Sequence, residues 1–140
     1  MLNREPQIVH FSGHGGGEWG LALEDEAGNL QLVCTAFLTH LFKQFIDTVK
    51  CVLLNACYSA VQAEAIVRYI PYMIGMKEAI GDGAAREFAV GFYDALGAGR
   101  TIEEAFAFGV NAIILEGIQE KLIPVLLRRE DWLRKICDDS

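Results

Sequence analysis

Along the chain, short unbroken apolar runs alternate with longer stretches in which apolar positions recur at helical spacing. Gln7-Ile8-Val9-His10-Phe11-Ser12 reads as a short strand, which the glycine-rich stretch Gly13-His14-Gly15-Gly16-Gly17 is expected to break. Leu21-Ala22-Leu23 and Leu30-Gln31-Leu32-Val33 flank Ala27-Gly28-Asn29, a pattern that predicts a small hairpin. From Thr35 to Asp47, the residues Phe37, Leu38, Leu41, Phe42, Phe45 and Ile46 fall on one helical stripe. Cys51-Val52-Leu53-Leu54 is apolar throughout, as a strand covered on both faces must be, and it leads into Asn55-Ala56-Cys57-Tyr58.

The second half repeats the pattern. Ser59, with Gln62 three residues on, has the spacing of a capping box and opens a helix that Pro71 ends. Tyr72-Met73-Ile74-Gly75-Met76 predicts a further strand. Asp82 stands where it can cap a helix with the stripe Ala85, Phe88, Ala89, Phe92, Tyr93 and Leu96, stopped by Gly97-Ala98-Gly99. Thr101 with Glu104 makes a second capping box for a helix running to about Glu116. Leu122 to Leu127 predicts the last strand, and residues 128–140 a polar tail. Strands alternating with helices predict parallel pairing, hence one α/β domain over residues 1–127, a three-layer sandwich with a mainly parallel sheet. Right-handed crossovers bring the C-terminal ends of such strands to one edge, where open sheets place their sites. Gly13-His14-Gly15 and Ala56-Cys57-Tyr58 both follow predicted strand ends, and neighbouring parallel strands lie about 4.8 Å apart.

Composition narrows the function classes. The residues are 52% hydrophobic and 22% charged, which fits strands buried on both faces or an apolar surface kept for a partner. A net charge of −7 repels a phosphate backbone on average, so nucleic acid is not an expected partner. No apolar run approaches the roughly eighteen residues of a membrane span, so no membrane is expected either. Met1 to Pro6 lacks the charged-then-apolar order of a signal peptide, and the cytoplasm is the expected location. The four cysteines form no CxxC pair, and their spacing suits neither zinc nor a disulfide framework. Cys34 and Cys51 read as small core residues, and His10 as a structural one.

Cys57 has different neighbours. A thiol attacks a carbonyl well only as thiolate, so it needs a group that stabilises the anion or removes the proton. A helix beginning near Ser59 would offer its positive end, and His14 on the adjacent strand would offer an imidazole. The oxyanion formed on attack needs fixed donors, which the backbone N–H groups of Gly15 and Cys57 would supply. His14-Gly15-Gly16-Gly17 also matches the oxyanion loop of lipase-like hydrolases, but that fold requires a Gly-x-Ser-x-Gly elbow and the chain has none.

At Val9-His10-Phe11-Ser12-Gly13-His14-Gly15 and at Val52-Leu53-Leu54-Asn55-Ala56-Cys57, about forty residues later, the sequence resembles CHAT domains. These are caspase-like cysteine peptidases related to caspases, separase, legumain and gingipains. The segment from Ile74-Gly75-Met76 through Asp82, Phe88, Gly91-Phe92-Tyr93 and Gly99 to Ala105 is similar to the C-terminal part of bacterial members. The resemblance implies a caspase-like fold and a cysteine endopeptidase acting on protein or peptide substrates. It implies a catalytic dyad of His14 and Cys57, an oxyanion donor at Gly15, no metal and no organic cofactor. Glu18 is either an acidic group for a basic P1 residue or a solvated surface carboxylate. Caspase-like sheets carry strands before the one with the histidine, and here that strand begins at Gln7. A bare sheet edge follows, to be completed by an upstream segment, a partner domain or a second copy. The alternative function is a catalytically silent CHAT-like fragment serving as an interaction or regulatory module.

Overall fold

Cys51, Val52, Leu53 and Leu54 have no exposed surface and form the centre of the computed structural model, which describes residues 8–15, 21–24, 30–115 and 123–138. Four consecutive buried residues in extended backbone must be covered from both sides, and the order of elements provides that cover. The strands are β1 (Ile8–Gly15), β2 (Leu21–Glu24), β3 (Leu30–Val33), β4 (Cys51–Asn55), β5 (Tyr72–Met76) and β6 (Pro124–Arg128). The helices are α1 (Thr35–Lys43), α2 (Ala60–Ile66), α3 (Asp82–Gly97), α4 (Ile102–Leu115) and α5 (Arg129–Asp138). They build one sheet in the order β3-β2-β1-β4-β5-β6, with β1, β4 and β5 parallel.

The period of two along β4 and β5 divides the core. Val52, Leu54 and Met73 pack with Leu38 and Phe42 of α1 and Ala63 and Ile66 of α2. Cys51, Leu53, Ile74 and Met76 pack with Phe88 and Phe92 of α3 and Ala105 and Ile113 of α4. The three-layer α/β sandwich expected from the sequence is therefore present. On the α3–α4 side the helices cross at two glycines. A Cβ on Gly91 would stand 2.7 Å from the Phe108 carbonyl oxygen, and one on Gly109 would stand 2.8 Å from the Phe88 ring. Small residues at the crossing let the two backbones approach and seat the aromatic ring between them.

Several local expectations hold. β2 and β3 form the antiparallel hairpin, with Leu21 opposite Val33. The Thr101–Glu104 capping box closes reciprocally, each backbone N–H donating to the other side chain at 3.1 Å. Gly99 adopts φ +83° behind α3, the left-handed stop that glycine accepts without strain. His10 leans on the Tyr93 ring at 5.6 Å, a packing role, and burial against that side lowers its pKa.

Others are corrected. The glycines do not break β1: Gly13, His14 and Gly15 continue the strand by pairing with Leu23, Ala22 and Leu21 of β2. A partner strand arriving from later in the sequence supplies the hydrogen bonds, which local glycine content does not reveal. β6 runs antiparallel to β5, so its C-terminal end lies at the opposite edge from those of β4 and β5. The stretch expected as a polar tail is largely α5, whose Trp132 packs against the core. Gly81, not Asp82, is the N-cap of α3. Of the expected stripe, Leu38 and Phe42 of α1 are buried and Phe37 is exposed; the helix ends at Lys43, so Phe45 and Ile46, also exposed, lie in the turns beyond it. Cys34 is exposed, so only Cys51 is a core cysteine.

Burial raises the Cys51 thiol from its ordinary 9.0 to about 12, and burial together with nearby Cys51 raises Tyr93 from 10.0 to about 12. Both groups are held neutral in the folded chain and ionise earlier when unfolded. Their contribution is whole below pH 9 and is lost as pH climbs from 9 towards 12. Urea midpoints measured across that range are expected to fall, with a limiting slope of about 1.4 kcal/mol per pH unit for each group.

Candidate active site

The register between β1 and β4 is the starting point for the site. Ile8 pairs with Cys51 and each following residue with its counterpart, as far as Ser12 opposite Asn55. His14 lies two residues beyond that last pair within β1, and Cys57 two residues beyond it in the turn that follows β4. Gly15 ends β1 opposite Leu21. The side chain of His14 and the whole of Glu18 lie outside the described residues.

Beyond Asn55 the chain turns sharply, with Ala56 N–H donating to Leu54 O at 3.0 Å and Ser59 N–H to Ala56 O at 3.2 Å. Tyr58 carries the turn at φ +59°, a left-handed conformation that costs a non-glycine residue about 1–2 kcal/mol. Such a residue persists only where its surroundings over-determine it. Here five hydrogen bonds do so. Asn55 Nδ2 donates to Ala85 O of α3 at 3.1 Å. Tyr58 N–H donates to Glu78 O at 3.2 Å. Ser59 Oγ donates to Leu54 O at 2.6 Å and accepts Met76 N–H at 2.9 Å. Ile80 N–H donates to Cys57 Sγ at 3.3 Å.

Ser59 was expected to cap a helix, and the structure corrects that role. Its side chain makes no cap bond, and α2 begins one residue later. The buried hydroxyl instead bridges the ends of β4 and β5, serving a carbonyl and an amide that the sheet leaves without partners. Gln62, the other half of the expected box, is buried and donates through Nε2 to Thr35 Oγ1 at 3.1 Å. Gly75 lets the start of α2 lie against β5, since a Cβ there would meet Ala60 Cα at 2.9 Å. Ser59→Ala leaves the buried Met76 N–H unsatisfied, while Leu54 O keeps the Ala56 N–H, and is expected to cost about 1–3 kcal/mol in chemical denaturation. A value near zero would show that water replaces the hydroxyl.

Cys57 is half-buried, and among the described residues no acceptor takes its N–H. Its sulfur contacts both backbone groups of one residue, the N–H of Ile80 at 3.3 Å and the carbonyl of Ile80 at 3.6 Å. Ile80 was not legible as a site residue. It lies 23 positions from Cys57 and carries an apolar side chain, so only the return of the chain after β5 reveals it. Among the described residues no group of three His, Cys, Asp or Glu side chains could hold a metal ion. Among them, too, no helix is long and apolar enough to cross a membrane.

A family model described as the CHAT domain matches residues 1–114. A search of curated proteins found no matching sequence. Among solved structures, the chain is similar to the X-ray structure of a secreted C11 cysteine protease from Bacteroides thetaiotaomicron in complex with an irreversible peptide inhibitor. The TM-score is 0.57 at 18% identity, over 88% of this chain and 39% of that one, so the likeness is one of fold. This chain thus spans about two fifths of that protease's length. With the sheet order described above and a family match over residues 1–114, the chain belongs to the CHAT domain family and has its caspase-like α/β fold.

Proposed function

We propose that the chain is the catalytic portion of a cysteine endopeptidase that cleaves protein substrates through His14 and Cys57. The observation that supports this reading is the β1–β4 register, whose last pair, Ser12 opposite Asn55, lies two residues before His14 in one segment and two residues before Cys57 in the other. In the reaction, the His14 imidazole takes the Cys57 proton and the thiolate attacks the scissile carbonyl. The oxyanion is met by the backbone N–H groups of Gly15 and Cys57, the second of which has no acceptor of its own among the described residues. The imidazolium returns its proton to the leaving amine, and water then hydrolyses the thioester to release the acyl product and restore the thiol. No metal and no organic cofactor enters these steps. Glu18 is proposed to face a basic P1 side chain, and the cytoplasm is retained as the expected compartment.

The test is covalent labelling. Peptidyl acyloxymethyl ketones with basic and acidic P1 residues are incubated with the full chain, and the adduct is mapped by mass spectrometry. A stoichiometric adduct at Cys57, faster with a basic P1, is the expected result. Labelling of the exposed Cys34 and Cys137 in preference to Cys57 favours the alternative, a silent interaction module. That alternative draws on one feature: β2 pairs with β1 at Gly13, His14 and Gly15, the last three residues of the strand. We propose that a second copy or an adjoining segment completes the sheet along β1 ahead of Gly13, which sedimentation at micromolar concentration reads as self-association.

A further inference from the structure

A thiolate nucleophile needs a donor aimed at sulfur, and the two expected from the sequence were the start of the following helix and an imidazole. The helix is a weak candidate: α2 has seven residues, and it begins only at Ala60. The donor that meets Cys57 Sγ in the structure is the backbone amide of Ile80, at 3.3 Å. We propose that this amide is the resident stabiliser of the Cys57 thiolate, so that the segment joining β5 to α3 belongs to the catalytic apparatus. This inference rests on Cys57 being the nucleophile.

The two contacts of Ile80 with sulfur have opposite preferences. Its carbonyl, at 3.6 Å, accepts the S–H of the neutral thiol. Its N–H donates to sulfur in either state and binds the anion more strongly, as charge-assisted hydrogen bonds do. Once the proton leaves for the imidazole, the carbonyl contact is lost and the amide contact strengthens. The seat therefore serves the thiol at rest and the thiolate during attack, without a change of partner residue.

The amide is also held in place beforehand, which is what makes a donor effective. The Ile80 side chain is buried against the α3 face of the core. Gly81 O next to it accepts Ala85 N–H at 2.9 Å, and Glu78 O before it accepts Tyr58 N–H at 3.2 Å. Lys77 N–H donates to Ile123 O at 3.0 Å, tying the start of the segment to the approach to β6. Titratable groups on the segments meeting at the sulfur are Tyr58, Lys77, Glu78 and Asp82, with His14 on the neighbouring strand. No side chain of Tyr58, Lys77, Glu78 or Asp82 hydrogen-bonds to Sγ.

The experiment reads alkylation of Cys57 by iodoacetamide, in which the thiolate, and not the thiol, displaces iodide from the reagent carbon to form a thioether. Rates are measured on the full chain from pH 5 to 10 and assigned to Cys57 by peptide mass spectrometry. Ile80→Val keeps the N–H and is expected to stay within about twofold of the parent. Ile80→Pro removes the N–H and is expected to slow alkylation at pH 7 about tenfold and to move the pH profile up by about one unit. Because proline at a buried position can also disturb the fold, the deciding variant replaces the amide by an ester. Incorporating the α-hydroxy acid analogue of isoleucine at position 80 retains the side chain and deletes only the N–H. The same tenfold loss and upward shift in the ester variant supports the proposal, and an unchanged rate and profile overturns it. Peptide cleavage by Cys57→Ala is scored separately, since retained cleavage there would defeat the nucleophile assignment whatever the alkylation profile.

Discussion

Cys57→Ala is expected to reduce peptide cleavage to the uncatalysed background, because no other group at the sheet edge can form the thioester. His14→Ala retains the nucleophile and loses the general base, so the expected loss is about 10²–10⁴-fold. A raised pH should recover part of that second loss, because hydroxide takes the proton that the imidazole would have taken. Neither change should disturb the fold. Cys57 is half-buried and its sulfur makes two weak backbone contacts, so the melting temperature is expected to move by only a few degrees. Cleavage assays on the purified variants, with circular dichroism as the folding control, decide it. Retained cleavage in a folded Cys57→Ala protein would remove the residue from the mechanism. An unfolded His14→Ala protein would give the His14 side chain a structural role in place of a catalytic one.

The largest expected loss of stability comes from Phe88→Ala. The ring is fully buried, stacked on Phe92 at 5.9 Å and set edge-on to Phe106 at 5.6 Å. Gly109 lies against it so closely that a Cβ there would touch two ring carbons at 2.8 Å. Removing the ring leaves a cavity bounded by two helices already in contact at Gly91, so the walls have little room to close. Truncation of a buried phenylalanine costs about 3–5 kcal/mol, the upper end applying where the cavity cannot collapse. A fall in melting temperature of roughly 10–20 °C is expected for a domain of this size. A loss below about 1 kcal/mol would mean that α4 shifts to fill the space, and a crystal structure of the variant would show the helices closer together.

The order of elements was legible because each is written locally. The unbroken apolar run Cys51–Leu54 has one sensible reading, a strand covered on both faces, and all four residues are buried. The Thr101–Glu104 pair places two side chains at the spacing that closes a helix start, and both bonds form. What escaped was every feature that depends on a partner distant in sequence. β1 passes through its glycines because β2 reaches it. Ser59 stays at the N-cap of α2 but its hydroxyl makes no cap bond, because a carbonyl of β4 and an amide of β5 take it instead. α5 was read as a tail because its charged residues hid Trp132, one ring among polar neighbours that is enough to seat the helix. At the site, both candidate residues were named from their strand-end positions. Ile80 was invisible because its contribution is a backbone group, and no side-chain chemistry marks it.

The exchange of partners along β1 has a consequence for how the molecule opens. Its first five residues are bonded to β4 in the middle of the sheet, while Gly13 to Gly15 are bonded to β2 of the β2–β3 hairpin. Protection against hydrogen exchange should therefore change abruptly within a single strand. Amides of Val52 to Leu54 exchange through global unfolding, whereas those of Gly13 to Gly15 exchange whenever the hairpin detaches, a sub-global event of lower free energy. On that expectation His14 sits in a part of β1 that opens before the β4 core, to whose end the turn carrying Cys57 is joined.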